Sequence, residues 1–210
     1  MLKRHLRAII ILLLIFVLLL ILVSGQAQSN YWQSQKYTDL IDKLEKIGFS
    51  KVEIEYIFSD SQIEFYPNIV RKIKTARVPN LAAPNSELLS ENSVNKGREF
   101  IRGNRKVLEK IEKEYEVEKE VIVSILRIEG RFGKAIDGYQ VLGVLNSIIL
   151  YSELDSDLSK WAKEQLVAFL IICRRLENDF FKTEGSWAGA FGIPQFIPTS
   201  YLEFGVDGNK

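Results

Sequence analysis

The amino-acid sequence predicts an all-α fold. In one segment after another, apolar residues recur three and four positions apart, as they do along one face of an α-helix. Several segments also carry residues that start and stop helices, with serine before the first turn or glycine after the last. No segment alternates between apolar and polar residues as a half-buried strand does, and no Asn-Gly pair indicates a β-hairpin. With 210 residues, 47% of them hydrophobic, the chain can bury one substantial core.

Residues 1–27 have the features of an export leader. A basic start, MLKRHLR, precedes an uncharged apolar run over residues 8–23, and small residues follow it up to Ala27. This order is typical of a secretory signal peptide that is cut after Ala27. An uncleaved membrane anchor is the alternative, because the run is intermediate between a signal core and a full span of roughly 20 residues. Either interpretation predicts that the rest of the chain is exported from the cytoplasm.

The rare residue types exclude several kinds of chemistry. Of the 28 Lys and Arg residues three belong to the leader, so 25 remain against 27 Asp and Glu, a net charge of −2. This balance predicts no nucleic-acid partner. The only histidine, His5, lies in the leader, so the exported part lacks Ser-His-Asp catalysis, Cys-His catalysis and histidine-ligated zinc. The only cysteine, Cys173, cannot form an intrachain disulfide and is predicted to be a buried free thiol.

Residues 28–78 are predicted to form a small N-terminal helical lobe. Its first helix, YTDLIDKLEKI, ends at Gly48. Ser50 with Glu53 three residues later makes a capping box for the second helix. A third and weaker helix is interrupted at Pro67.

Residues 79–92, with two prolines and three asparagines, are predicted to connect this lobe to a main domain over residues 93–210. In the main domain, NKGREFIRGNRKVLEKIEKEYEV is interpreted as one long amphipathic helix with a solvated charged face. Two apolar helices, VIVSILRIEG and YQVLGVLNSIILYS, come next. A long helix then begins near Ser156 or Asp157.

The segment GSWAGAFGIPQFIPTSYLEFG, residues 185–205, differs in composition from the helices before it. Glycines, prolines and aromatic residues are concentrated within about twenty positions. Glycine lets a backbone approach a ligand closely, and aromatic faces stack on sugars or on one another. No Gly-Lys-Ser/Thr sequence follows the glycines, so this is not a phosphate loop. Two interpretations stay open: a tight, glycine-assisted helix contact or a ligand-binding loop.

Glu129 is the second-last residue of the apolar segment VIVSILRIEG. On a helix it shares a face with Ile122, Ile125 and Leu126, so we expect it to point inward or into a cleft at the helix end. Apolar surroundings and the partial negative charge of a helix C-terminus both favour a protonated acid. An acid protonated near neutral pH can donate a proton to a glycosidic oxygen, which is otherwise a poor leaving group. The structural alternative is an ion pair with Arg127 or Arg131.

The sequence also carries a family resemblance. IEGRFG, then GYQVLGVLNSI, a long helix and GSWAGAFGIPQFIPTSYLEFGVD resemble the membrane-bound lytic murein transglycosylase B family, glycoside hydrolase family 103. The similarity covers residues 90–210, and more weakly residues 37–74. It implies a lysozyme-like all-α domain that cleaves the β-1,4 bond between N-acetylmuramic acid and N-acetylglucosamine in peptidoglycan. It also implies that Glu129 is the single catalytic acid and that the product is a 1,6-anhydro sugar.

The same resemblance implies that Ser186, Gln195, Tyr201 and Arg131 bind substrate. We also expect the protein to be a monomer that binds peptidoglycan glycan strands and needs no cofactor. The chain departs from the family pattern at Gly130, where Ser or Thr is usual. Paired arginines that often follow the VLGVLNSI helix are replaced by SELDSDL.

Further departures lie in the loop, at Phe191, Ile193 and Pro194, and at the end of the chain. In the family, an acidic loop that binds calcium in some members begins at about Asp207. Here the chain stops at FGVDGNK, so we expect a domain incomplete at its C-terminus and a calcium site only in a longer chain. Two alternative functions stay open: a lysozyme-type muramidase that uses water, and a non-catalytic envelope protein that binds glycan.

Overall fold

The structure is a computed structural model that describes residue 13 and residues 31–76, 88–133 and 138–206. Within these residues the chain forms nine α-helices, three single-turn 3-10 helices and one small sheet. The all-α prediction is confirmed. None of the helices in these ranges is both long and apolar enough to cross a membrane. The predicted apolar run over residues 8–23 lies outside the described residues except for Leu13.

Three α-helices come from the N-terminal part of the chain, after 3-10 turns at Tyr31–Gln33 and Gln35–Tyr37. They are α1 (Thr38–Lys46), α2 (Lys51–Ser59) and α3 (Ile69–Thr75). Local sequence sets their ends as predicted. Gly48 follows α1 with a φ of +91°, and Ser50 and Glu53 form the capping box of α2.

Glu129 belongs to a second group of three helices: α4 (Glu91–Gly103), α5 (Arg105–Tyr115) and α6 (Lys119–Gly130). The prediction of one long helix across α4 and α5 is wrong. The Asn104 side chain donates to the Phe100 carbonyl oxygen (2.9 Å), and so does the Asn104 backbone N–H (3.0 Å). These bonds close α4, and the chain restarts as α5. α4 also begins inside the predicted connection over residues 79–92.

The remaining helices are α7 (Val141–Tyr151), α8 (Asp157–Leu176) and α9 (Pro198–Phe204). Ser156 caps α8 as predicted, since its hydroxyl oxygen accepts the Ser159 N–H (3.3 Å). A two-stranded antiparallel sheet, β1 (Tyr139–Gln140) with β2 (Glu184–Gly185), was not predicted. Strands of two residues are too short for an alternating pattern to be visible in sequence.

One hydrophobic core joins the first and third groups of helices. α7 is buried from Val141 to Ile149, and residues of α1, α2 and α8 pack in the same cluster. The N-terminal helices therefore share their core with the main domain. α4, α5 and α6 contribute a separate, smaller set of buried residues, among them Leu108 and Val123. Cys173 lies in the main core as predicted, and its burial raises the pKa of the thiol to about 12.

The buried side chain of Gln140 connects three parts of the main core. Its Oε1 accepts the Glu64 N–H, and its Nε2 donates to the carbonyl oxygens of Gln62 and Phe181, each at 2.9 Å. These three backbone groups would need other partners if this amide were absent. Gln140 therefore holds the segment before α3 and the segment after α8 against β1.

We expect Gln140→Leu to lower the free energy of unfolding by about 2–3 kcal/mol, because it leaves three backbone groups without partners at little change in volume. Urea denaturation followed by far-UV circular dichroism measures the difference. Gln35→Leu, at an exposed position, is the control and should change stability little. Equal stabilities for the two variants would contradict the assigned role of Gln140.

Candidate active site

Glu129 is the second-last residue of α6 and its side chain is exposed. The prediction that it shares a buried face with Ile125 is wrong, since Ile125 is 53% exposed. The buried positions of α6 are instead Val123, Arg127 and Gly130. Apolar residues occur on several sides of α6, so periodicity alone selected the wrong face. The Glu129 carboxyl group therefore lies at the surface beside the helix end.

An ion pair with arginine does not account for Glu129. Arg127 is buried, and its Nε donates to the hydroxyl oxygen of Ser93 on α4 (3.0 Å). Arg131 is exposed at the C-cap of α6. Among the described residues, none of the ion pairs or side-chain hydrogen bonds involves the Glu129 carboxylate. The structural alternative raised by the sequence thus finds no support in this part of the chain.

The backbone turns sharply after Glu129. Arg131, Phe132 and Gly133 all have positive φ values, +46°, +62° and +79°. For a residue other than glycine this conformation costs about 1 kcal/mol or more, and such residues concentrate at functional sites. The Phe132 ring stacks on Phe100 of α4, with centroids 4.4 Å apart and planes at 13°, and this contact stabilises the turn.

Residues 186–197, between β2 and α9, form a glycine-rich loop that contacts α6 at Gly130. A Cβ atom on Gly130 would lie 2.6 Å from the carbonyl oxygen of Ile193 and 3.3 Å from Cγ of Gln195. Only glycine fits without moving the loop backbone. Two departures from the family pattern, at Gly130 and Ile193, therefore meet in one contact. This contact uses a glycine of α6 and the backbone of the loop, and it lies directly beside Glu129.

The loop itself is anchored in the main core by Phe191. Its backbone N–H donates to the Phe196 carbonyl oxygen (3.0 Å), and its ring packs edge-on against Phe169. The Tyr201 ring stacks on Phe191, with centroids 5.6 Å apart. Tyr201 is half-buried on α9, and its ring holds Phe191 of the loop against the core. The sequence placed Tyr201 near the site but did not reveal its contact with Phe191.

Ser186 and Gln195 lie at opposite ends of the loop. The Ser186 hydroxyl oxygen accepts the N–H groups of Ala188 and Ala190, both at 3.2 Å, and so stabilises the first turn. Gln195 has a φ of +52°, and its Nε2 donates to the Gly192 carbonyl oxygen (2.8 Å). Of the predicted substrate-binding residues, Arg131 is the C-cap of α6, and Gln195 approaches the end of that helix at Gly130.

Comparison with known proteins identifies the family. A family model for the transglycosylase SLT domain matches residues 32–210. The chain belongs to this family. It is 27% identical over 180 residues to membrane-bound lytic murein transglycosylase B of Escherichia coli K12. The match covers 80% of this chain and 48% of that protein. The family resemblance inferred from the sequence is thereby confirmed.

Two solved structures of lytic transglycosylases have a similar fold. Soluble lytic transglycosylase SltB1 from Pseudomonas aeruginosa has a TM-score of 0.71 and 27% identity, over 81% of this chain and 57% of that one. The Escherichia coli enzyme Slt35, in complex with bulgecin A, has a TM-score of 0.74 and 26% identity, over 87% and 58%. The chain spans about half the length of the curated relative it matches.

The described ranges contain no group of three or more His, Cys, Asp or Glu side chains that could hold a metal ion. Asp207, where the sequence predicted that a calcium loop would begin, lies outside the described residues.

We expect Gly130→Ala to lower the free energy of unfolding by about 1–3 kcal/mol, because the added methyl group overlaps the Ile193 carbonyl oxygen. Gly103→Ala is a matched control, since Gly103 also ends a helix but has open space around its Cβ position. The control should be neutral or slightly stabilising. Urea denaturation of both variants makes the comparison, and a Gly130→Ala variant as stable as the control would contradict the close contact.

Proposed function

We propose that the chain is a lytic transglycosylase that cleaves the β-1,4 bond between N-acetylmuramic acid and N-acetylglucosamine in peptidoglycan. The proposal rests on the position of Glu129 beside the loop that contacts Gly130. In the described ranges the Glu129 carboxyl group forms no ion pair. Membership of the transglycosylase SLT family supports it. SltB3 from Pseudomonas aeruginosa, similar in fold, has been solved with NAG-anhNAM-pentapeptide.

In the proposed mechanism Glu129 acts twice. It first donates its proton to the glycosidic oxygen as the bond from C1 of the muramoyl sugar breaks, so that N-acetylglucosamine leaves with a neutral hydroxyl. The resulting carboxylate then takes the proton of the C6 hydroxyl, and that oxygen attacks C1 of the same sugar. No water is consumed, and the acid is regenerated. Because the nucleophile is already part of the substrate, no second carboxylate is needed to position it.

The exposure of Glu129 adds a requirement to this mechanism. A carboxyl group remains protonated more readily when water is removed from its surroundings, whereas Glu129 is in contact with solvent when no substrate is bound. The bound glycan strand would therefore supply the cover that the protein surface lacks. Binding of the strand and activation of the acid would be one event.

The loop residues have distinct proposed roles. Gln195 lies next to the end of α6. Its side-chain oxygen accepts no hydrogen bond from the described residues, so it can accept one from a sugar hydroxyl. The Ser186 oxygen already accepts two backbone N–H groups, which leaves its proton for donation to the sugar. Tyr201 is a positioning residue that acts through Phe191. Arg131, exposed after the acid, is proposed to contact an anionic part of the strand.

We place this activity in the bacterial cell envelope. The apolar run over residues 8–23 is proposed to be a signal peptide or membrane anchor. The Escherichia coli relative is named as a membrane-bound enzyme, which supports an envelope location. We propose a monomer without a cofactor. A calcium site is proposed only for a longer chain that completes the loop at Asp207.

The full chain, in mild detergent, should release muropeptides from purified peptidoglycan that are lighter by one water than reducing-end muropeptides. Glu129→Gln should lower the rate at least about 100-fold, because the amide cannot donate the required proton. Mass spectrometry of the released products measures both effects. Glu120→Gln, an exposed glutamate of the same helix, is the control and should retain activity.

The product masses also test the alternatives. Release of reducing ends would identify a muramidase and contradict the anhydro product. Binding of glycan strands without any release by the unsubstituted chain would identify a non-catalytic glycan-binding protein.

A further inference from the structure

Lys72, Tyr139 and Trp187 meet at the surface although they come from distant parts of the sequence. Lys72 lies on α3, Tyr139 on β1, and Trp187 in the loop that follows β2. The Lys72 Nζ lies 4.8 Å from the centroid of the Tyr139 ring and 5.4 Å from that of the Trp187 ring. It also donates to the Tyr139 hydroxyl oxygen (3.1 Å). We call these three residues the aromatic–lysine cluster.

The cluster is held in place before any ligand binds. The Tyr66 ring packs edge-on against Tyr139, with centroids 5.0 Å apart. The Tyr66 hydroxyl accepts the Gln140 N–H (2.9 Å) and donates to Glu64 (2.6 Å). Tyr139 is also paired with Gly185 in the small sheet. Fixed rings lose little conformational entropy on binding, so the surface is preorganised.

The charge of Lys72 is not neutralised within the described part of the chain. The ion pairs between described residues do not include Lys72, and the Glu64 carboxylate is hydrogen-bonded to Tyr66. An ammonium group has three donors, of which Tyr139 takes one. The cluster therefore presents an exposed cation between two half-buried aromatic rings. A carboxylate matches the cation, and a sugar ring matches the aromatic faces.

The cluster and the candidate active site share one loop. Trp187 follows Ser186 directly, and Ile193, further along the same loop, packs against Gly130 beside Glu129. A glycan strand that lies along the loop would contact both. No sequence pattern indicates this arrangement, because Lys72 is one of several basic residues on α3 and only the packing of α3 brings it to Trp187.

We propose that the aromatic–lysine cluster is a subsite for a carboxylate-bearing sugar of the glycan strand. The sugar ring packs on Trp187, and its carboxylate accepts a hydrogen bond from Lys72. The inference rests on the proposed function. The carboxylate has two sources: the stem peptide attached to muramic acid, or the lactyl group of muramic acid itself where the peptide has been removed.

Three soluble probes distinguish these sources: muramic acid-containing oligosaccharides with pentapeptides, the same strands after amidase treatment, and chitohexaose, which has no carboxylate. Binding is measured with the full chain carrying Glu129→Gln, so that cleavage does not interfere. We expect a carboxylate-bearing probe to bind about fivefold more tightly than chitohexaose. Lys72→Gln, added to this chain, should abolish the preference and leave chitohexaose binding unchanged.

Lys72→Arg should retain the preference, because it retains the charge. Lys74→Gln, on the same exposed helix segment, is the matched control and should leave all three affinities unchanged. A preference seen only for the pentapeptide probe assigns the stem-peptide carboxylate, whereas a preference that survives amidase treatment assigns the lactyl group.

A Lys72→Gln variant that binds all probes as before, or that weakens all three equally, would overturn the subsite. The proposed function is judged separately, by cleavage of peptidoglycan by the unsubstituted chain. A chain that discriminates among the probes without cleaving would retain the subsite and refute the proposed reaction. The two failures are therefore distinguishable.

Discussion

The candidate site depends on the close approach of the Gly130 backbone to the carbonyl group of Ile193. Glu129 is carried by α6, whose group of three helices has its own small set of buried residues. The glycine-rich loop is attached to the main core, because the side chain of Phe191 is buried there. The contact at Gly130 brings the two parts together at the residue after the acid. A side chain there would separate them, and the acid would lose its fixed position relative to the loop.

The main core determines the position of the loop, and the N-terminal helices contribute to that core. Gln140 ties the segment before α3 to β1 and to the chain after α8. β1 pairs with β2, and β2 leads directly into Ser186. The loop position thus depends on hydrogen bonds that begin far from it in sequence. The same connections place α3, and with it Lys72, beside Trp187.

Local signals in the sequence were sufficient for the fold class and for several helix ends. The capping box at Ser50 and the N-cap at Ser156 depend on residues within three positions, so sequence alone predicts them. The orientation of Glu129 was not predictable in this way. The rotation of α6 depends on what α4 and the loop present to it, above all Ser93 for Arg127 and Ile193 for Gly130. Partners distant in sequence leave no periodic signal in the helix itself.

The exposure of Glu129 also changes how remote contacts with the strand would act on the reaction. If the acid were already buried, contacts with distant sugars would only hold the substrate. Under the proposed function, the strand would cover the exposed Glu129, and part of the binding energy of distant sugars would be used to remove water from this carboxyl group. Under the proposed function, a contact at the aromatic–lysine cluster would therefore increase the rate of the chemical step as well as the affinity. Shortened substrates that cannot reach the cluster would then lose kcat as well as binding.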